Sequence, residues 1–384
     1  MISLAATPLS AAGQVMQANP ALMPVLTAPI ALIIDVNSGR VLFERQAHRR
    51  FVPASLTKIM TSYVAFELIA AGKLNLARRI RMSPQAYRQW HRVGSTMFLA
   101  DGSETTVAEL LDGIITVSAN DGCVVLAEGI AGSVPGFTAM MNAQARKLGL
   151  KDSHFNTPNG WMDDGETYVS AADLATLSTA LITRHPALYR RFYGRDHLEF
   201  RGIEQPNHNP LYGHTAGADG VKTGFTNEAG YGLVGTAIRG GRRLMMVVGG
   251  YDRPKDRALQ SRAFMEWGFG AWEAHPLYAS RVRIGPAKVQ GGTARAVDLV
   301  APNPVAVTLP RGTRVRYSLA IRYRGPLKAP ILAGDPVATL VVRAEGQGEQ
   351  RVPLVAARNV PQGGWLSRIS DGFAAMGFAA ITGR

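Results

Sequence analysis

The sequence predicts a mixed α/β (α+β) fold: a domain with an antiparallel sheet flanked by helices, then a small all-β domain, then a C-terminal amphipathic helix. Three observations predict it. Apolar runs separated by turn signals stand at both ends of the first 275 residues, and helical spacing fills the stretch between them. Helical periodicity stops near Pro276, where Pro, Gly and Val become frequent. It returns in Gly364–Arg384.

The length of 384 residues is too great for one ordinary domain. Apolar residues make up 46% and charged residues 18%, which excludes disordered, collagen-like and coiled-coil classes. The 42 Lys+Arg against 28 Asp+Glu leave +14, which points to a negatively charged partner: nucleic acid, anionic lipid or an acidic polymer. With Cys123 alone no internal disulfide forms, and a small buried core residue is expected there. No apolar run approaches the roughly 18 residues of a membrane span.

Residues 1–26 are Ala-rich and lack the positive start of a secretory signal, so a truncated signal remnant and a disordered leader both stay open. Ile30–Val36 and Val41–Glu44 flank Asn37-Ser38-Gly39 and read as a hairpin. Pro53–Ala71 carries apolar residues at helical spacing and closes at Gly72. Ala108–Leu188 reads as helices broken by a Gly/Asn/Asp loop at Asn156–Gly165. Tyr231–Ile238 and Leu244–Gly250 read as strands around the turn Arg239–Arg242, and a helix follows over Pro254–Phe269. From Pro276 to Gln362 we expect the all-β domain, whose 13 Lys+Arg against 4 Asp+Glu hold +9 of the net charge. Within it Thr313–Arg324 alternates, with Val315, Tyr317, Leu319, Ile321 and Tyr323 on one side, the pattern of a half-buried strand. In residues 363–384, Leu366, Ile369, Phe373, Met376 and Ala380 share a helical face, as in a helix lying on a membrane surface.

Three short motifs carry chemistry. Ser55-Leu56-Thr57-Lys58 places a hydroxyl and an amine one helical turn apart, so a neutral lysine can take the serine's proton near a helix N-terminus that favours an oxyanion. Ser118-Ala119-Asn120 sets a second hydroxyl and an amide on one side of a turn; alone, it would read as a helix cap. Lys222-Thr223-Gly224 offers a cation, a hydroxyl and a bare backbone to a carboxylate ligand, on an expected edge strand facing a cleft. Each is weak alone. Each occurs once, in this order, with Ser118 63 residues after Ser55 and Lys222 104 after Ser118. The combination resembles the Ser-x-x-Lys, Ser-Asp-Asn and Lys-Thr-Gly set of penicillin-binding proteins and class A β-lactamases, with Ala119 in the place of the Asp.

The chain resembles the low-molecular-mass penicillin-binding proteins that are serine-type D-alanyl-D-alanine carboxypeptidases, peptidase family S11. The resemblance runs from about Ala28 to the C-terminus and includes Asp35–Arg40, Pro53–Ser62, Ser118–Cys123, Gly220–Gly224 and Trp267-Gly268-Phe269. It implies a transpeptidase-like domain over residues 27–275 that removes the terminal D-alanine from peptidoglycan pentapeptide stems. It implies Ser55 as acylated nucleophile, Lys58 as base, Ser118 as proton relay and Asn120 as orienting amide. Lys222, Thr223 and Gly224 would face the terminal carboxylate, with Arg257 as a further carboxylate ligand. The backbone N–H groups of Ser55 and Phe225 would form the oxyanion hole. A lowered lysine pKa is required, and burial plus the charge of Lys222 would supply it. β-Lactams would acylate the same serine. Phe225 and Asn159 stand where many members carry His. The resemblance further implies export to the periplasmic face of the cytoplasmic membrane, held peripherally on anionic lipid by the C-terminal helix.

Two rivals differ in class. A β-lactamase needs a second base, for which Glu166 in the loop Asn159–Thr167 is the candidate. A binding module would hold peptidoglycan without turnover. No nucleic-acid motif occurs. The eight His form no His-Glu-x-x-His, so neither metal nor cofactor is expected.

Overall fold

The computed structural model describes residues 23–314, 316–344 and 348–364. Residues 1–22 of the leader and residues 365–384 of the amphipathic helix expected over 363–384 lie outside them. The described chain forms two compact units that divide at Gly270–Ala271.

In the first unit, β1 (Ile30–Asp35) and β2 (Arg40–Arg45) form the expected hairpin. Its turn is held by the buried Asp35 carboxylate, which accepts from the N–H of Asn37 (3.0 Å) and Ser38 (3.2 Å) and pairs with Arg242 at 2.6 Å. Asp35→Asn would withdraw the charge opposite a nearly buried guanidinium, a loss that costs about 3–5 kcal/mol when such pairs are broken. We expect a urea midpoint lowered accordingly with an unchanged transition slope.

A short turn of 3₁₀-helix, Ala54–Thr57, leads into α1 (Lys58–Ala70). Every residue of α1 from Lys58 to Phe66 is buried, because the helix is surrounded by protein. β3 (Arg79–Arg81), α2 (Pro84–Trp90) and β4 (Glu104–Thr106) come next; β3 and β4 pair. α3 (Val107–Thr116) starts with a reciprocal cap, in which Thr106 Oγ1 accepts from Glu109 N and the Glu109 carboxylate accepts from Thr106 N. α4 (Asn120–Ala131), α5 (Val134–Leu148), α6 (Ala171–Arg184) and α7 (Pro186–Phe192) complete the helical insertion. β5 (His197–Phe200) and β6 (Ile203–Pro206) form a small hairpin.

The chain then returns through β7 (Ala218–Thr226), β8 (Gly230–Arg239) and β9 (Arg242–Tyr251) and closes with α8 (Pro254–Gly270). The main sheet is antiparallel in the order β2-β1-β9-β8-β7. Alternate residues Ile30, Leu32, Met245 and Val247 join the core of the helical insertion, whereas Ile33 and Leu244 face Gly268 of α8. Helices thus cover both faces, and β7 is left at an edge, as the Lys-Thr-Gly reading expected.

The second unit begins earlier than the composition change at Pro276. That residue lies inside β10 (Trp272–Tyr278), which pairs with β13 (Val305–Pro310) and so belongs to the all-β part. Between them run β11 (Arg283–Gln290) and β12 (Ala296–Val300); β14 (Tyr317–Arg322), β15 (Leu327–Lys328), β16 (Pro336–Ala344) and β17 (Gln350–Ala356) follow. A six-stranded sheet of order β14-β16-β17-β12-β11-β15 and the β10–β13 pair share one apolar core. The half-buried strand expected over Thr313–Arg324 is corrected. β14 is the outermost strand, with β16 as its sheet neighbour, and Tyr317, Ser318, Leu319 and Ala320 are all exposed. Among the described residues of the alternating set, Ile321 and Tyr323 alone pack on the core.

Candidate active site

The 3₁₀ turn and the first residue of α1 set Ser55 and Lys58 on one side, three positions apart. Lys58 Nζ donates to Ser55 Oγ at 2.7 Å, to Asn120 Oδ1 at 2.7 Å and to the Asn159 carbonyl at 2.9 Å. Ser118 and Asn120, at the start of α4, are both buried. Ser118 sits at φ +65° and its Oγ has no hydrogen-bond partner among the described residues. A non-glycine residue in that region is strained, and such strain concentrates where a side chain must be aimed.

Strand β7 supplies the third motif. Gly224 permits a close approach, but to protein and not to ligand as the sequence suggested: a Cβ there would lie 2.8 Å from the Pro53 carbonyl oxygen. From the other side Gly160, at φ +71°, would place a Cβ 1.8 Å from the Ala54 carbonyl oxygen. The turn that carries Ser55 is therefore wedged between two bare backbones. Arg257 on α8 holds its guanidinium 5.4 Å from the Tyr231 ring centroid, and Tyr231 stacks on Phe225 at 4.1 Å.

Ser55, Ser118, Asn120, Thr223, Gly224, Phe225 and Arg257 all line one cleft of about 530 Å³. Lys58 and Lys222 do not line it. Both are nearly fully buried, and Lys222 Nζ donates to its neighbour's carbonyl, Thr223 O, at 3.1 Å. Thr223 lines the cleft itself, and Lys222 is buried beside it, near enough to Lys58 and Arg257 for their charges to act on it. Sequence reasoning missed Ser95, Trp161, Met162, His208 and Tyr231, which also line the cleft. Trp161 and Met162, apolar residues inside a polar Gly/Asn/Asp loop, were the available signal.

Burial pushes the Lys58 amine down to about 8, against an opposing pull from Cys123 and Asp121. It pushes Lys222 well below the usual lysine range, with the charges of Lys58 and Arg257 adding to the effect. Of the two expected causes, burial is the one that lowers Lys58, whereas the repulsion between the two amines appears at Lys222. His208 is lowered by burial, then by Lys222 and Arg257. Cys123 is fully buried and its thiol is raised to about 12 by burial.

A serine hydroxyl that lines an open cleft and is bonded to a buried amine, lowered by that burial to about 8, is the arrangement of a serine hydrolase of the acyl-transfer kind. The family model described as D-alanyl-D-alanine carboxypeptidase matches residues 15–252, and that of the penicillin-binding protein 5 C-terminal domain matches residues 272–362. The chain is 35% identical over 355 residues to the D-alanyl-D-alanine carboxypeptidase DacA of Escherichia coli K12, covering 91% of this chain and 87% of that one. It is 33% identical over 346 residues to DacF of Bacillus subtilis, covering 88% and 87%. Penicillin-binding protein 5 from Haemophilus influenzae superposes with a TM-score of 0.75 at 34% identity, covering 88% of this chain and 99% of that one. Penicillin-binding protein D2 from Listeria monocytogenes, in its ampicillin-bound form, covers 64% of this chain and 98% of its own at 30% identity and a TM-score of 0.56. The chain belongs to the D-alanyl-D-alanine carboxypeptidase family, peptidase S11, and is a serine hydrolase.

Proposed function

We propose that the chain removes the terminal D-alanine of pentapeptide stems through an acyl-enzyme on Ser55. Neutral Lys58 takes the Ser55 proton as Oγ attacks the penultimate D-alanine carbonyl. The N–H groups of Ser55 and Phe225 hold the oxyanion. Ser118 gives its proton to the leaving amine and takes the one held by Lys58, which leaves Lys58 neutral again, and D-alanine departs with its carboxylate held by Thr223 and Arg257 in the field of Lys222. Lys58 then takes a proton from the water that attacks the ester and returns it to Ser55 Oγ as the ester breaks. The observation that carries this reading is the 2.7 Å contact between Lys58 Nζ and Ser55 Oγ in a site that lowers the amine to about 8.

A β-lactam presents the same amide and carboxylate and acylates the same serine. The β-lactamase alternative needs a second base, yet Glu166 is exposed and lines a separate hollow with His154 and Asp164 instead of the cleft. The test is trypsin mapping after exposure to penicillin. We expect one adduct on the peptide Phe51–Lys58 that outlasts removal of free drug. An adduct on another peptide would displace Ser55, and one that disappears while penicillin is consumed would favour the lactamase.

We also propose that residues 363–384 hold the exported enzyme on anionic membrane lipid, from the apolar face of Leu366, Ile369, Phe373 and Met376. Removing Gly364–Arg384 should abolish sedimentation with anionic vesicles and leave D-alanine release intact. Truncated protein that still sediments would overturn the anchor.

A further inference from the structure

The buried carboxylate of Asp121 has no part in the scheme above, yet it adjoins Asn120 and is 1% exposed. One oxygen accepts from the N–H of Met97 (3.1 Å) and Gly122 (2.8 Å); the other accepts from the N–H of Leu99 (3.1 Å). A single anion thus grips the chain on both sides of Phe98. Phe98 is held at φ +57°, which a bulky residue rarely adopts, with 39% of its surface exposed. Strain of this kind persists only where its neighbours are tied down.

The gripped segment runs directly to the catalytic amide. Ser95 O accepts the Asn120 backbone N–H at 2.7 Å, and Val93 O accepts from Asn120 Nδ2 at 3.0 Å. An amide has one donating end and one accepting end. With the donating end spent on Val93, the accepting end faces Lys58 Nζ. Gly94, at φ +64°, allows the contact: a Cβ there would lie 2.6 Å from Asn120 Nδ2 and 2.7 Å from the Trp161 ring.

We propose that the segment Val93–Leu99, tied down by Asp121, is a clamp that sets the Asn120 amide for Lys58, and that Asp121 is a positioning residue for acyl transfer. It touches no reacting atom and acts through the segment and Asn120. The inference rests on the roles proposed for Ser55, Lys58 and Asn120.

The experiment follows single-turnover acylation by a chromogenic cephalosporin across pH for the full chain and three variants. Asp121→Asn halves the grip. Gly94→Ala displaces the amide without altering any charge. Asp173→Asn is the control: it removes a buried carboxylate from α6, where Asp173 binds Asp152 N (2.7 Å) and Ser153 Oγ (2.8 Å). For Asp121→Asn and Gly94→Ala we expect the maximal acylation rate to fall about 10–100-fold, the size of effect a slight misplacement causes, with the binding constant nearly unchanged. The groups acting on Lys58 are Asp121 and Cys123 from α4, with Lys222 from β7 coupled to it. Loss of the Asp121 charge and loosening of the Asn120 acceptor both disfavour the ammonium form. The acid limb of Asp121→Asn should therefore move to lower pH. Asp173→Asn should lose thermal stability and keep its rate and limb. The clamp is overturned if Asp121→Asn and Gly94→Ala acylate at the wild-type rate, or lose activity only in proportion to unfolded protein. Should Asp121→Asn fail to fold, Gly94→Ala decides. A wild-type chain that forms no adduct would instead remove the Ser55 assignment.

Discussion

Ser55→Ala is expected to form no covalent adduct with penicillin and to release D-alanine at least about 10⁴-fold more slowly than the wild type, as loss of a serine nucleophile does elsewhere. The other cleft serine motif member cannot take over, because the Ser118 hydroxyl meets no partner among the described residues whereas the Lys58 amine is bonded to Ser55. Ser55 lies half-buried in a turn that alanine also accepts, so thermal unfolding should be little changed. Thr223 and Arg257 remain, so non-covalent binding of the drug should survive. Intact mass against time and a D-alanine assay check both halves. Near-normal release would mean that Ser55 is not the nucleophile.

Replacing Lys58 by alanine is expected to slow acylation by about 10²–10⁴-fold, the usual contribution of a general base. The wild-type pH profile is the sharper test. Only the neutral amine accepts a proton, and with Lys58 at about 8 roughly a tenth is neutral at pH 7. The acylation rate should therefore rise about tenfold per pH unit below that value and level off above it. The Cys123 thiol, raised to about 12, does not titrate in this window. A bound carboxylate favours the charged form of Lys222, and that charge opposes a second on Lys58. The limb seen at saturating ligand should then lie below the limb of the bimolecular rate. A profile that falls with rising pH would exclude a lysine base.

Much of the site was legible because its chemistry is local. Ser55 and Lys58 are one helical turn apart, Ser118 and Asn120 flank a single residue, and the edge position of β7 followed from the two strands after it. What stayed hidden depends on the tertiary fold. The Asn159 carbonyl that accepts from Lys58 is backbone, and no residue type announces it. Tyr231, His208 and Trp161 reach the cleft from three separate elements. The alternation of Thr313–Arg324 identified a strand, but alternation does not reveal whether a second layer lies overhead. The boundary near Pro276 was set by composition, whereas pairing with β13 carries β10 into the second unit.

The wedging of the Ser55 turn between Gly160 and Gly224 bears on how such an enzyme can be changed. A side chain at either position would collide with the turn's own carbonyl oxygens, so the serine has no sequence-encoded freedom to move. A search for altered acyl-donor preference in a mutational library would find almost no tolerated variation there. Productive diversity should lie instead at the rim of the cleft, where the side chains of Met162 and Phe225 are 48% and 46% exposed. With the roles proposed above, reactivity would rest on the turn and selectivity on the rim side chains, and the second could drift while the first stands still.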